Sequence, residues 1–457
     1  PYGGVTSVAV KNGIVAVASP NADETLNGSV VFFDTNGTFL KQVTVGALPD
    51  MITFSPDGTK VMTANEGQPN LDYSIDPEGS VSIIDISGGI ASLSQSNVTT
   101  LLFTAYNTQE ATLIASGVRK LKSTSTLSQD FEPEYITLSS DSQKAWITLQ
   151  ENNAIATIDL ASGKMLGVSG LGYKNYNTEA TGIDPSDRDK ELRVRPVQAF
   201  GMYQPDAIAT AQVGGKSFLF TANEGDAREY PCLMGGTDSS VIEAEDVRYG
   251  SNGTNAALKT DALLNRLNVT PFIPANPSGT AVTGKTTMSD AYSLGARSFS
   301  VWRAPKAGGV AAAELVYDSG NFIEKKVLEM NGTYFNADWS TSTGSANAAD
   351  TRSDNKGPEP EGIAYGKAYG KHWLVVGLER DGGLMLFNVG NPSAPKFVQY
   401  ISTIDWTSNT SRIGGAGDIS PEGILFIEAK NSPSKKPLVI VSYEVSGTVA
   451  IFELIEN

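Results

Sequence analysis

LPDMITFSPDG (residues 48–58) is followed by a second apolar run, KVMTANEG (60–67), and a third, GSVSIIDISGG (79–89). Each run is short, rich in Val, Ile, Phe and Thr, and bounded by Gly, Asn, Asp or Ser, the texture of a β-strand between tight turns. The opening run recurs as GVTSVAVKNG from Gly4, EPEYITLSSDS from Glu132, QPDAIATAQVGG from Gln204, EPEGIAYGKAYG from Glu359 and SPEGILFIEAKN from Ser420. Second runs follow each time: IVAVASPN, KAWITLQENN, SFLFTANEGD, HWLVVGLERDGG and PLVIVSYEVSG. So do third runs: GSVVFFDTNG, AIATIDLASG, SFSVWRAPKAGG, GLMLFNVGNP and GTVAIFELIEN. Outer fourth strands such as FLKQVTV, AELVYDSG and KFVQYIS close the unit.

From Val5 to Pro49 is 49 − 5 = 44 residues, close to the ~40–45 residues of one four-stranded propeller blade. The sequence therefore reads as an all-β, β-propeller domain over residues 1–457, with blades at about 4–46, 47–128, 131–200, 204–320, 357–403 and 418–457. A long insertion, 231–297, interrupts the fourth blade, and TDALLNRL (260–267) within it has the pattern of a short helix. The sixth readable blade has three strands only, and natural sheets avoid bare edges. The expectation is a seven-blade ring closed by one further blade upstream, and the rival is a closed six-blade ring with an incomplete last blade.

With 50 acidic against 34 basic residues the net charge is −16. That balance argues against a nucleic-acid backbone or an anionic membrane surface as main partner and favours cationic ligands. No apolar run approaches the ~18 residues of a membrane span. A single cysteine, Cys232, excludes an intramolecular disulfide framework, and a single histidine, His372, leaves no multi-histidine zinc site. His372 heads the apolar run HWLVVGL, which points to a structural role.

Successive strands of a blade run antiparallel, so the start of the first and the end of the second lie on the same face of the disc. The position after the repeated proline holds Asp50, Glu134, Asp206, Glu361 and Glu422, with Thr6 in the equivalent place of the first blade. The end of the second strand holds Glu66, Glu151, Glu224, Glu379 and Glu444. These ten carboxylates are expected at the mouth of one central channel, where like charges need protons, basic partners or bound cations. Hard oxygen donors suit Ca²⁺, and less well Mg²⁺. The competing reading makes each acid a structural acceptor that caps backbone N–H groups. Glu359 and Glu361 are expected to project to the same side, because Pro358 and Pro360 favour extended backbone. Arg228, Arg297, Arg352 and Arg380 lie in neighbouring loops, either to pair with the acids or, with a metal, to hold an oxyanion. Glycosylation sequons stand at Asn27, Asn36, Asn97, Asn252, Asn268, Asn331 and Asn409, all expected on the surface.

The run ALPDMITFSPDGTKVMTANEGQPNLDYSIDPEGSVSIIDIS, with NEGDAREY, GARSFSVW, DTRSDNKGPEPEGIAYG, GLERDGG, NPSAPKFVQYI and EVSGTVAIFEL, resembles the choice-of-anchor I domain family. That family includes mesenchyme-specific cell-surface glycoproteins of skeleton-forming cells. The resemblance implies an extracellular or surface-anchored protein, linked in animals to calcium biomineral deposition, and similar domains occur in bacterial proteins described as alkaline phosphatases. It brings no settled catalytic residues. Three readings follow: a secreted calcium-binding glycoprotein with a structural, matrix or biomineral-related role; a metal-dependent phosphoesterase on the same face; and an interaction scaffold, filament or surface-layer subunit. The partners expected are cations or a mineral surface, and other copies or matrix proteins. Neither nucleophile nor general base stands out, which favours the first and third.

Overall fold

Short alternating apolar runs fold here into six antiparallel sheets, each a meander whose strands pair in chain order. The computed structural model describes residues 2–456 apart from 232, 234–239, 241, 274–287, 289, 306–312 and 409–414. Blade 1 comprises Ser7–Lys11, Ile14–Ser19, Asn27–Asp34 and Phe39–Ala47; blade 2 comprises Pro49–Phe54, Lys60–Asn65, Ser80–Asp85 and Val98–Leu102. Blade 3 is Pro133–Leu138, Lys144–Leu149, Ala154–Asp159 and Lys164–Gly170, and blade 4 is Ile208–Val213, Lys216–Asn223, Ser298–Arg303 and Glu314–Asp318. Blade 5 is Pro360–Ala368, Lys371–Leu378, Gly383–Asn388 and Lys396–Ser402. Blade 6 has three strands, Pro421–Ile427, Leu438–Tyr443 and Thr448–Glu453. The first strands pack side by side in the order of the blades, which makes them the inner wall of a β-propeller.

Period-2 alternation gives each sheet two apolar faces, so a separate core forms between each successive pair of blades. Ala16, Val30 and Phe32 of blade 1 meet Ile52, Val61 and Ile84 of blade 2. Met62 and Val81 of blade 2 meet Ile136, Ile147 and Ala156 of blade 3. Trp146 and Ile155 of blade 3 pack on Ile208, Leu219 and Trp302 of blade 4. Phe220, Phe299 and Val301 then pack on Leu374, Val376 and Phe387 of blade 5, and Val375 and Leu384 pack on Ile424, Val439 and Val441 of blade 6. Each such buried side chain contributes about 1.5–3 kcal/mol, so the layers dominate cohesion.

The stretch between blades 3 and 4, together with an excursion between the second and third strands of blade 4, builds a small accessory body. Tyr173–Asn175, Ala199–Met202 and Ala291–Ser293 form its sheet, over a core of Tyr176, Val197, Tyr249, Leu264, Leu267 and Val269. The helix expected over residues 260–267 is a series of turns instead. Its leucines still point inward, but the Leu264 amide reaches back to the Leu258 carbonyl at 2.9 Å and Arg266 is anchored to Asp187 at 2.7 Å. The longest helix among the described residues, Phe322–Asn331, lies between blades 4 and 5. His372 is a strand residue whose ring contacts the Tyr365 hydroxyl through Nδ1 at 2.6 Å, and desolvation lowers its pKa.

Gly79, just before the third strand of blade 2, shows how closely the blades approach. A Cβ there would stand 1.9 Å from the Phe131 carbonyl oxygen and 2.8 Å from Pro133 Cδ. Both obstacles are backbone or ring atoms of the next blade, so Gly79→Ala should cost about 1–3 kcal/mol, the range of overpacked cores. Denaturant unfolding of the variant checks this, and a midpoint equal to the parent's would refute the close approach.

Candidate functional site

The acids owe their position to a repeated kink. The residue before the repeated proline has a left-handed backbone at Leu48 (φ 48°), Gln204 (φ 39°), Glu359 (φ 52°) and Ser420 (φ 61°). Such geometry costs a non-glycine residue about 1–3 kcal/mol, and a hydrogen bond recurs where it occurs. The carbonyls of Leu48, Glu359 and Ser420 accept the amides of Glu66 (2.9 Å), Glu379 (2.8 Å) and Glu444 (2.9 Å), and the Gln204 carbonyl accepts that of Gly225 at 3.1 Å. Just beyond the kink the ladder slips, between Pro49 and Ile52, Pro360 and Ile363, and Pro421 and Ile424. The kink and the bulge bring the acid after the proline beside the acid that ends the second strand. The continuous extended Pro358–Glu361 segment expected from sequence is therefore broken at Glu359, whose backbone is left-handed.

In every acid-bearing blade the two carboxylates repel each other: Asp50 acts on Glu66, Glu151 on Glu134, Glu224 on Asp206, Glu379 on Glu361 and Glu444 on Glu422. Blades are coupled as well, since Asp50 and Glu361 both feel Glu422. Desolvation is the first cause throughout. It pushes Asp50 up to about 6, with Glu422 and Glu151 adding to it, and Glu379 up to about 9, with Glu359 and Glu224 adding. Glu66, Glu134, Asp206 and Glu361 are raised well above the ordinary carboxylate range. Glu151 is raised despite Arg228, and Glu224 despite Lys356. Glu422 and Glu444 are exposed.

Two sets of oxygens come close enough to share an ion. Asp206, Glu224 and Glu361 each offer one ligand atom, all within 4.8 Å of one another, and Glu224, Glu359 and Glu379 form a second such set. The second set already holds cations: Lys356 Nζ lies 2.7 Å from Glu224 and 3.3 Å from Glu359, and Arg380 lies 3.2 Å from Glu359 and 2.9 Å from Glu379. Arg352 also pairs with Glu359. Although desolvation opposes ionisation, Lys356, Arg352 and Arg380 together hold Glu359 far below the usual carboxylate range. In the first set only Glu224 has such a partner; Asp206 and Glu361 make no ion pair among the described residues. Glu361 Oε2 is buried without a hydrogen-bond partner, as are Glu134 Oε2 and Glu151 Oε2.

The four arginines sit on acids or enclosed carbonyls. Arg228 is 3.3 Å from Asp130 and 3.1 Å from Glu132, on the wall of a cavity of about 730 Å³ that also includes Glu151, Asp226 and Tyr230. Arg297 is 1% exposed and donates to Glu324 and to the carbonyls of Asp184, Ser353 and Asn355. Sequence reasoning gave no role to Glu132, Asp130 or the cation-binding side of Glu359. The duplicated Glu-Pro-Glu at 132–134 and 359–361 was the available signal, since it doubles the acid at one corner.

Of the sequon asparagines, Asn27 and Asn36 are exposed. The expected exposure fails for Asn97, Asn252, Asn268 and Asn331, which are half-buried. Asn97 Oδ1 caps the Ser94 amide, Asn252 donates to the Arg248 carbonyl, Asn268 is bonded to Asp246, and Asn331 donates to Asp381. Asn409 lies outside the described residues.

A sequence model of the choice-of-anchor I domain matches residues 1–392. Gigasin-3a of Magallana gigas is 28% identical over 203 residues, 43% of this chain and 67% of that protein. Among solved structures, hydrazine synthase of Kuenenia stuttgartiensis aligns with TM-score 0.43 and 11% identity over 98% of this chain and 83% of that one. The β-propeller domain of Myceliophteria thermophila Cps50 (Swd1) aligns with TM-score 0.42 and 7% identity, over 99% and 84%.

The raised carboxyls set a sign for pH dependence. Glu379 ionises near its ordinary value when unfolded but near 9 when folded, so between those limits the native state holds a proton the unfolded chain has lost. Stability then falls as pH rises. In chelator, the melting temperature should drop from about pH 5 to about pH 9, and Glu379→Gln should flatten the slope. Scanning calorimetry decides it; a melting temperature that is level or climbs over that window would sink the assignment.

Proposed function

Because the chain belongs to the choice-of-anchor I domain family, and so is a surface or extracellular β-propeller, we propose that it is a calcium-binding propeller of structural or matrix role, with an ion held at its channel mouth. One observation carries the reading. Asp206, Glu224 and Glu361 bring three carboxylate oxygens within 4.8 Å, and Glu361 supplies a buried oxygen that nothing else satisfies. An ion at that point would offset the burial and mutual repulsion that raise these carboxyls. Calcium accepts six to eight oxygen ligands at about 2.3–2.6 Å in flexible geometry, whereas magnesium demands a tight octahedron near 2.0–2.1 Å. Carboxylates from different strands and blades suit the larger ion. The net charge of −16 raises the local concentration of cations around the protein. Partners of the same kind follow: cations in solution or at a mineral surface, with further copies or matrix proteins assembled around them.

Glu361→Gln keeps the shape of the site and removes a charge. Titration calorimetry should show calcium binding to the parent and weaker binding to the variant, with the apo fold intact. Calcium at one hundred times its dissociation constant should stabilise the parent by about 2.7 kcal/mol. No calcium-dependent shift in the parent, or an equal shift in both proteins, would remove the site. Asn36, exposed in the turn after a third strand, is the sequon best placed for a glycan, and mass loss on enzymatic deglycosylation of natively sourced protein checks it.

A further inference from the structure

The blades at the two ends of the series each leave one apolar wall uncovered. In blade 1, Val8 is 60% and Val10 is 62% exposed. The residues at the place of Val8 in the other blades, Ile52, Ile136, Ile208, Ile363 and Ile424, are all buried, none above 8%. Those isoleucines are covered because a preceding blade stands against them. On the opposite flank, Leu425 pairs with Ile440 and Ile440 with Ile451, as Ala364 pairs with Val375 and Val375 with Leu386 in blade 5. Ala364, Val375 and Leu384 are buried against blade 6, whereas Leu425, Val449 and Ile451 are 57%, 65% and 64% exposed. Among the described residues blade 6 has no outer strand, which leaves Thr448–Glu453 with a free edge. The inner strands of blades 1 and 6 do not pack against each other as the other neighbours do.

We propose that these two walls are the sides of a slot for one further β-blade, carried by a polypeptide segment that leads into the first strand of blade 1. The surfaces left bare are the same two that a neighbouring blade covers at five existing interfaces, so the occupant that fits both at once is a sheet with two apolar faces. Its size follows from the repeat: ~40–45 residues for four strands, and one strand more for the free edge of Thr448–Glu453. The connectivity of the repeat selects a single segment for both parts, because an outer strand is followed by the next inner strand, as Phe39–Ala47 runs into Pro49–Phe54. A second copy of this chain fits less well. It would meet one wall with the other and leave a wall open at each end, the geometry of an open filament.

Cysteine accessibility tests the slot. In a Cys232→Ser background, Val10→Cys and Ile451→Cys place one thiol on each wall at exposed positions. In the 457-residue chain both should react with a maleimide at the rate of an unfolded control, with a monomeric mass by light scattering. In the natural gene product both should react about 100-fold more slowly, as residues in a closed core do. Slow labelling in the monomeric 457-residue chain would mean a ring closed by six blades and would overturn the proposal. So would slow labelling accompanied by a doubled mass, which assigns the walls to a second copy. Fast labelling at either position in the natural gene product, or a gene product with no strand-rich segment before blade 1, would overturn it equally.

Discussion

Three amide-to-carbonyl bonds, Glu66 to Leu48, Glu379 to Glu359 and Glu444 to Ser420, tie the end of a second strand to the kink that opens the first. The rest of the channel mouth depends on them. A residue before proline is disfavoured in helical geometry, and a left-handed non-glycine is costlier still. A net gain of about 1 kcal/mol from one hydrogen bond does not cover that alone. The balance comes from the interblade cores, which hold both strands in place on either side. Blade 3 reaches the same end by another route: the Asn152 side chain accepts the Glu132 amide at 3.2 Å and donates to the Asp130 carbonyl at 2.9 Å and carboxylate at 2.8 Å. Backbone or side chain, the fold fixes where the acids stand before any ligand arrives.

Once they stand there, electrostatics decides their state. Two unit charges 4 Å apart interact by about 4 kcal/mol at an effective dielectric of 20, so three carboxylates within 4.8 Å cannot all stay ionised without help. Glu359 has that help from Lys356, Arg352 and Arg380 and remains charged. Glu361 has no such partner among the described residues, and burial first, then its acidic neighbours, raise it well above the ordinary carboxylate range. The mouth is thus divided between a corner that is satisfied by lysine and arginine and a corner where Asp206 and Glu361 have no ion-pair partner among the described residues. That division also separates the structural reading of the acids, which Glu359 fits, from the binding one, which is proposed for Glu361.

The blade repeat was legible because apolar alternation and Gly/Asn/Asp turns recur at a regular interval, and each first strand forms where the repeat puts it. The pairing of acids within each blade was legible too, since homologous positions in a repeat share a place in the fold. The left-handed kink was not: proline at 49 or 360 argues for extended backbone before it, and only the bond to a second-strand amide overrides that preference. The turns at 260–267 were hidden for a similar reason, because three leucines at helical spacing serve equally well on a non-helical segment with a core to fill. Exposure of the sequons was misjudged where an asparagine amide already served its neighbours.

Blade 1 explains why the charge gathers on one side. Its equivalents of the two acids are Thr6, whose hydroxyl donates to the Pro49 carbonyl at 2.6 Å, and Pro20, which follows the second strand of blade 1 as Glu66 follows that of blade 2. Neither residue brings a charge, and the Thr6 hydroxyl closes a bond that an ionised carboxylate could not make. The acids therefore occupy an arc from blade 2 to blade 6 in place of a full circle. Blade 4 is the middle of that arc, and each side of it adds a like charge. There Asp206 and Glu224 meet Glu361 of the next blade, with ligand oxygens within 4.8 Å of one another. Where the acids crowd is thus set by which blade lacks them as much as by which blades carry them.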